Sequence, residues 1–391
     1  MNETPSANRV HIGFFGLRNV GKSSLVNAVT GQDLALVSDI KGTTTDSVYK
    51  AMELLPLGPV VIIDTPGIDD EGALGALRVA RARRVLNKTD VAVLVTEAGA
   101  SLCAVEEELV GIFKAKNVPY IIAQNKCDLR PESRAVSDTV LPVSAKTGFN
   151  IHPLKEKIAA IANSGELQRR LVADLIQPMD LVVLVIPIDK AAPKGRLILP
   201  QQQVIRDILD TGAIAVTVRD TELKATLARP RLRPSLVITD SQAFEKVAVE
   251  VPHDIPLTSF SILFARQKGW LESAVEGVTA LDALQNGDKV LVCEGCTHHR
   301  QCDDIGTVKL PRMIREHTGT EPEFSFRSGG DFPDDLSPYR MVVHCGACML
   351  NDREMQYRSR CAADQEVPFT NYGITIAHIK GILKRSIAVF N

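Results

Sequence analysis

The chain has 391 residues, 45% apolar and 24% charged, which is long enough for two or three domains with separate cores and excludes a disordered or fibrous protein. A formal net charge of −2 gives no overall pull toward nucleic acid or anionic lipid. No apolar run reaches the roughly 18 residues of a membrane span, and the opening MNETPSANRV lacks a charged-then-apolar leader pattern, so a cytoplasmic protein is expected.

From residue 10 to 172, the apolar runs VHIGFFG, PVVIIDTPG, VAVLVTEAG and VPYIIAQNKCD alternate with helix-length amphipathic stretches. That order predicts an α/β domain of mainly parallel, buried strands with crossover helices. GLRNVGKS, Gly16 to Ser23, matches G-x-x-x-x-G-K-S/T between a predicted strand and the helix SSLVNAVTG. Its glycines, Gly16 and Gly21, let backbone N–H groups wrap phosphates; Lys22 reaches the β and γ oxygens, and Ser23, followed by Ser24, offers a hydroxyl to Mg2+. DTPG follows the strand PVVII, so Asp64 can hold Mg2+ through water while the Gly67 amide faces the γ-phosphate. NKCD ends another strand, placing Asn125, Lys126 and Asp128 at the base. An aspartate there pairs with the N1 and N2 edge of guanine, and adenine would leave that carboxylate unpaired, a difference of several kcal/mol. SAK, Ser144 to Lys146, supplies the Ala145 amide for the guanine carbonyl. The four motifs in this order specify a GTPase.

These motifs resemble the translation-factor-like GTPases, in particular their tRNA-modification branch. The resemblance implies that Gly42, Thr43 and Thr44 in KGTTTD form the first switch, with Thr44 the second hydroxyl ligand of Mg2+. It also implies that Asn19 in the phosphate loop marks a K+-assisted enzyme. Ile68 stands after DTPG, where related enzymes carry a water-orienting glutamine. Hydrolysis is therefore expected to be slow and stimulated by K+ or a dimer partner.

The middle region, 178 to 266, repeats the alternation in miniature: LVVLVIPI, a helix through PQQQVIRDILDTG, AIAVTV, a short helix, LVITD and another helix. A small parallel sheet without a catalytic cluster is predicted, and Leu197 to Leu209 offers a face for pairing. The third region, 270 to 391, opens with a helix through WLESAVEGVTALDALQNG and is expected to be loop-rich around its cysteines.

Six of the eight cysteines fall in that last region, a clustering that points to metal in a reducing compartment. Cys345-x-x-Cys348 runs into the amphipathic stretch MLNDREMQYRSR, so a helix N-terminus is expected to aim both thiolates at a metal. Partners can come from Cys293, Cys296, His298, His299 and Cys302. Spacing leaves two options: zinc on Cys293, Cys296, Cys345 and Cys348, or an iron-sulfur cluster on Cys296, Cys345 and Cys348. Cys103, Cys127 and Cys361 read as packing cysteines, and Cys293 and Cys302 as structural thiols.

The whole chain resembles the [FeFe]-hydrogenase maturation GTPases, through a GTPase domain, a plain middle domain and a terminal C-x-H…H-C-x-x-C signature. Cys296, His298, His344, Cys345 and Cys348 carry it. The resemblance implies that the three cysteines bind a [4Fe-4S] cluster, with His298 and His344 as fourth ligand or hydrogen-bonding support. It implies a small α/β dimerisation domain at 178–266, an α/β cluster-binding domain at 270–391, and a homodimer or tetramer. It further implies a scaffold that receives a diiron precursor from the radical-SAM maturases HydE and HydG and delivers it to the apo-hydrogenase HydA. The other readings are a zinc-containing GTPase of tRNA modification or ribosome assembly, and a non-catalytic iron-sulfur module. No basic stripe with interleaved aromatics supports nucleic-acid binding.

Overall fold

A computed structural model of the chain describes residues 6–32, 48–67, 85–130, 137–163, 170–188, 197–229, 232–295 and 304–390. The chain divides into two compact units, 1–167 and 168–391.

In the first unit the strands β1 (Val10–Phe15), β2 (Val48–Leu54), β3 (Gly58–Asp64), β4 (Val91–Glu97), β5 (Tyr120–Asn125) and β6 (Val140–Pro142) form one sheet in the order β2-β3-β1-β4-β5-β6. Only the β2–β3 pair is antiparallel. Its central strands read as continuous apolar runs because helices cover both faces. Ile12, Phe14, Ile62 and Val93 pack against Leu25 and Val29 of the helix Lys22–Thr30 and against Leu154 and Ile158 of the helix Ile151–Asn163. Phe15, Ile63 and Leu94 face the other way, onto Leu109 and Phe113 of the helix Ala104–Ala115. Fully burying a side chain such as Phe113 stabilises the sheet by about 1.5–3 kcal/mol. Cys103, expected to be a packing residue, instead precedes that helix as its cap, and its backbone N–H donates to Glu106 Oε2 at 3.0 Å.

The second unit holds two four-stranded sheets, both wholly parallel. β7 (Leu181–Val185), β8 (Ile214–Val218), β9 (Leu236–Thr239) and β10 (Leu257–Ser259) lie in the order β10-β9-β7-β8. β11 (Lys289–Glu294), β12 (Glu323–Ser328), β13 (Met341–His344) and β14 (Phe369–Asn371) lie in the order β12-β11-β13-β14. One core joins them: Val183, Val185 and Leu257 share a buried cluster with Trp270, Leu291, Val342 and Phe369. Leu171 and Val172 pack into this unit, beside Val182 and Leu184.

The last region is thus more regular than its glycines and cysteines suggest. The predicted helix after Trp270 also differs: it is α-helical only over Leu271–Gly277 and continues as a 3-10 turn, Val278–Ala283. Both Val278 and Leu281 of that turn are fully buried, Val278 in the cluster of Trp270 and Phe369 and Leu281 in that of Val290 and Leu310. Among the described residues no helix is long and apolar enough to cross a membrane.

Candidate functional site

The phosphate loop runs from the end of β1 into the helix Lys22–Thr30. Gly16 and Gly21 take positive φ, 143° and 87°, and a Cβ on either would collide with the Val95 carbonyl or the Asn125 amide. Asn19 also lies in the left-handed region, at φ 63°. Lys22 is buried and its Nζ donates to the Gly16 and Leu17 carbonyls at 3.0 and 2.7 Å, so the ammonium lies across the mouth of the loop. Ser24 follows in the first helical turn.

Asp64 ends β3, and its Oδ2 accepts a 2.8 Å hydrogen bond from Ser23 Oγ. Its Oδ1 is buried with no hydrogen-bond partner among the described residues. Burial pushes the carboxyl up from its ordinary value, against the Ser23 hydrogen bond and the Lys22 charge. An orphaned carboxylate oxygen beside a serine hydroxyl is a donor set that fits Mg2+. Thr65 Oγ1 donates to the Phe14 carbonyl at 2.7 Å, fastening DTPG to β1, and Gly67 lies close against the Arg18 backbone.

Asn125 sits between the phosphate and base elements. Its Nδ2 donates to the Val20 carbonyl at 3.0 Å, and its Oδ1 accepts from the Ala145 amide at 3.1 Å. Sequence reasoning assigned Asn125 and the Ala145 amide to the base; Asn125 also joins the phosphate loop to the SAK loop. Asp128 accepts from Ser144 Oγ at 2.6 Å, which, with Lys146 nearby, holds its carboxyl below the ordinary range and ready to accept hydrogen bonds. Lys126, at φ 62°, reaches Glu97 at 3.5 Å. Thr44, the rest of its switch stretch and Ile68 lie outside the described residues.

The second candidate site lies at the C-terminal ends of β11 and β13. The chain leaves β11 toward β12 on one side and returns as β13 on the other, so the crevice between β11 and β13 is a topological switch point, where open α/β sheets bind ligands. Cys345 follows β13, and its amide donates to the Cys293 carbonyl at 2.8 Å. Its Sγ accepts from the Gly295 amide at 3.1 Å and the Ala347 amide at 3.4 Å. Tyr372 is buried, and its hydroxyl has no hydrogen-bond partner among the described residues; burial first, then the nearby Cys345 and Glu294, hold its pKa well above the ordinary value. A sulfur cradled by amides beside an orphaned buried hydroxyl fits an anionic iron-sulfur cluster. Cys296, His298, His299 and Cys302 lie outside the described residues, although Gly295, the last residue before them, already touches Cys345.

His344 ends β13, fully buried. Its Nδ1 bonds the Cys345 carbonyl at 2.9 Å and its Nε2 accepts from Arg358 Nη1 at 2.9 Å. Burial and the Arg358 charge push the imidazole down to about 3, so it is neutral. Both ring nitrogens are committed, an arrangement suited to supporting Cys345 rather than to ligating iron. Arg358 and Glu354 were missed by sequence reasoning. Arg358 is 1% exposed and donates to Glu354 Oε1 at 2.7 Å and to the Gly329 carbonyl at 2.7 Å, with Phe332 under its guanidinium. Their i, i+4 spacing in MLNDREMQYRSR was the available signal, but a surface ion pair reads the same way. The helix expected through MLNDREMQYRSR, from Met349, starts at Asp352, with Asn351 Oδ1 capping the Glu354 amide at 3.1 Å, so its N-terminus serves that cap. Cys293 is wholly buried, and burial pushes its thiol up to about 12, which counts against a four-thiolate zinc site.

Fold and sites together define a P-loop GTPase domain followed by two parallel α/β domains. Comparison with known families agrees. A 50S ribosome-binding GTPase profile matches residues 11–126, a hydrogen maturase F dimerization domain matches 171–269, and a hydrogen maturase F tetramerization domain matches 272–389. The last two span more than half of the chain, which belongs to the hydrogen maturase F family. Individual relatives match the GTPase part. GTPase Der of Wolinella succinogenes is 33% identical over 177 residues, 41% of this chain and 37% of that protein. The tRNA modification GTPases MnmE of Endomicrobium trichonymphae and Thiobacillus denitrificans are 31% and 35% identical, over 40% and 38% of this chain and 36% and 32% of theirs. The chain thus spans about a third of these relatives' length.

Proposed function

We propose that the chain is a cytoplasmic GTP-hydrolysing scaffold that assembles the diiron precursor of the [FeFe]-hydrogenase active site and transfers it to the apo-enzyme. The observation that carries this reading is the meeting of Cys345, Gly295 and His344 at the β11–β13 crevice, in a chain of the hydrogen maturase F family. Cys345, Cys348 and Cys296 would hold a [4Fe-4S] cluster with an exchangeable fourth iron position, which supplies an open site to which the diiron cargo can dock. The chain's own part is to present Cys345 with its two amide donors, to keep His344 neutral through Arg358, and to shield the crevice with Tyr372. HydE, HydG and HydA are the partners this reading requires.

In the GTPase domain, Lys22 would neutralise the β and γ oxygens, Ser23, Thr44 and Asp64 would arrange Mg2+, and the Gly67 amide would meet the γ-phosphate. Asp128 would select guanine. With isoleucine at position 68 there is no glutamine to orient the attacking water, so hydrolysis would be slow, and Asn19 would hold a K+ ion that adds positive charge at the phosphates. The cleaved bond joins the β–γ bridging oxygen to the γ-phosphorus, giving GDP and phosphate.

The test is transfer. Protein loaded by the two maturases should activate apo-hydrogenase, Cys345→Ser should abolish activation while GTP hydrolysis continues, and Lys22→Ala should abolish hydrolysis. Full activation by the Cys345→Ser protein would rule the scaffold reading out.

A further inference from the structure

At the other end of the helix that Tyr372 begins, a second group of side chains is arranged as metal ligands. We infer that Asp282, His317 and His378 form a site for a divalent transition ion of the zinc or ferrous class. Among the described residues they are the one group of three His, Cys, Asp or Glu whose ligand atoms all lie within 4.8 Å of one another. Each comes from a different element: Asp282 from the 3-10 turn Val278–Ala283, His317 from the last turn of the helix Leu310–Thr318, and His378 from the last turn of the helix Tyr372–Ile379.

The geometry is more specific than a surface ion pair. His317 Nε2 lies 2.9 Å from Asp282 Oδ1, and His378 Nε2 lies 3.0 Å from Oδ1 and 2.9 Å from Oδ2. Two imidazoles thus aim the same ring nitrogen at one carboxylate, their rings edge to face at 5.8 Å. A single ion pair needs only one of them. The two helices also bring their C-terminal, partially negative ends to this point, which favours a cation. Ligands at about 2.0–2.2 Å around a tetrahedral ion stand roughly 3.4 Å apart. The hydrogen-bonded nitrogens and oxygens need separate by only a few tenths of an ångström, and the three side chains are 21–53% exposed.

Two imidazoles and one carboxylate are the donor set of zinc sites and of non-haem ferrous sites, with positions left for water. On binding, each Nε2 gives up its proton, to Nδ1 or to solvent, and its lone pair goes to the metal. The site is distinct from the cysteine crevice. Tyr372 stands at the crevice at the start of its helix, and six residues on, about 9 Å along the axis, His378 stands at the other end. A metal here would clamp three elements of the domain matched by the tetramerization profile.

Cobalt titration of the full chain, purified anaerobically, tests this, because thiolate and nitrogen–oxygen ligation differ in their spectra. The protein with Cys345→Ser and Cys348→Ser should take up a Co2+ ion showing visible ligand-field bands without thiolate charge transfer, displaced by Zn2+ or Fe2+. His317→Gln and His378→Gln, made in that background, should each weaken uptake more than about tenfold. Where a histidine variant loses its far-UV circular dichroism, Asp282→Asn decides in its place, since it keeps hydrogen-bonding capacity and removes only the anionic ligand. Unchanged Co2+ affinity in the folded variants, or no uptake by the protein with Cys345→Ser and Cys348→Ser, overturns the site.

Discussion

Asp64 concentrates the conflict between stability and function. Its carboxyl is buried, one oxygen has no hydrogen-bond partner among the described residues, and its folded pKa is raised above the ordinary 3.8. A carboxyl raised in the folded state takes up protons on folding, so its cost is absent below pH 3.8 and builds as pH rises through the folded value. Asp64→Asn should therefore melt higher than the wild type at pH 7 without nucleotide, with the gap closing toward pH 3.8, while Mg2+-dependent GTP hydrolysis falls more than about 100-fold. Thermal melts across pH and phosphate release check both halves. Arg358 poses the opposite case. Removing it with Arg358→Met leaves Glu354 charged and buried, which should cost about 3–5 kcal/mol in urea unfolding. Adding Glu354→Gln should recover part of that loss, because the desolvated charge is then gone. The phosphate-loop residues were legible because a motif of fixed spacing dictates their place. Arg358 was not, because an i, i+4 charge pair has the same spelling at the surface and in a core.

At the scale of elements, the strands of the first two regions were legible from their apolar runs, and their parallel sheets followed from the alternation with helices; the last region, expected to be loop-rich around its cysteines, did not announce its four-stranded sheet. Residue parity inside a strand was not legible either. Val290 through Cys293 are all buried, so no alternation announces which side chains face the crevice. Only the register of β11 against β13, Cys293 opposite His344, puts the Cys293 thiol in the core and Cys345 at the rim. Cys293 should accordingly resist alkylation by iodoacetamide in the native protein at pH 8 and react after denaturation, a difference that peptide mass spectrometry reads directly. The helix after Cys348 was misjudged by its start because Asn351, a strong cap, lies inside a stretch whose apolar pattern already looks helical. The 3-10 turn at Val278–Ala283, which holds Asp282, was likewise invisible to a 3.6-residue period.

At the scale of the molecule, the middle sheet ends in β8, whose Ile214 amide donates to the Asp180 carbonyl at 2.7 Å. By alternation, Ala215 and Thr217 then direct their amides and carbonyls away from β7, along an edge that another strand can pair with. This edge lies in the domain matched by the dimerization profile. Thr217→Pro removes one outward amide without touching the β7–β8 ladder, and light scattering on the full chain should show a smaller oligomer than the wild type. The same mass for both would place the contact elsewhere.

The central claim concerns the group held at the β11–β13 crevice, and metal and sulfide analysis with electron paramagnetic resonance addresses it most directly. Anaerobically reconstituted wild type should hold about four irons and four sulfides per chain. Its reduced [4Fe-4S] signal should survive Cys293→Ala and vanish in Cys345→Ala. One thiolate-bound zinc per chain, no sulfide, and loss of metal in both variants would contradict the account.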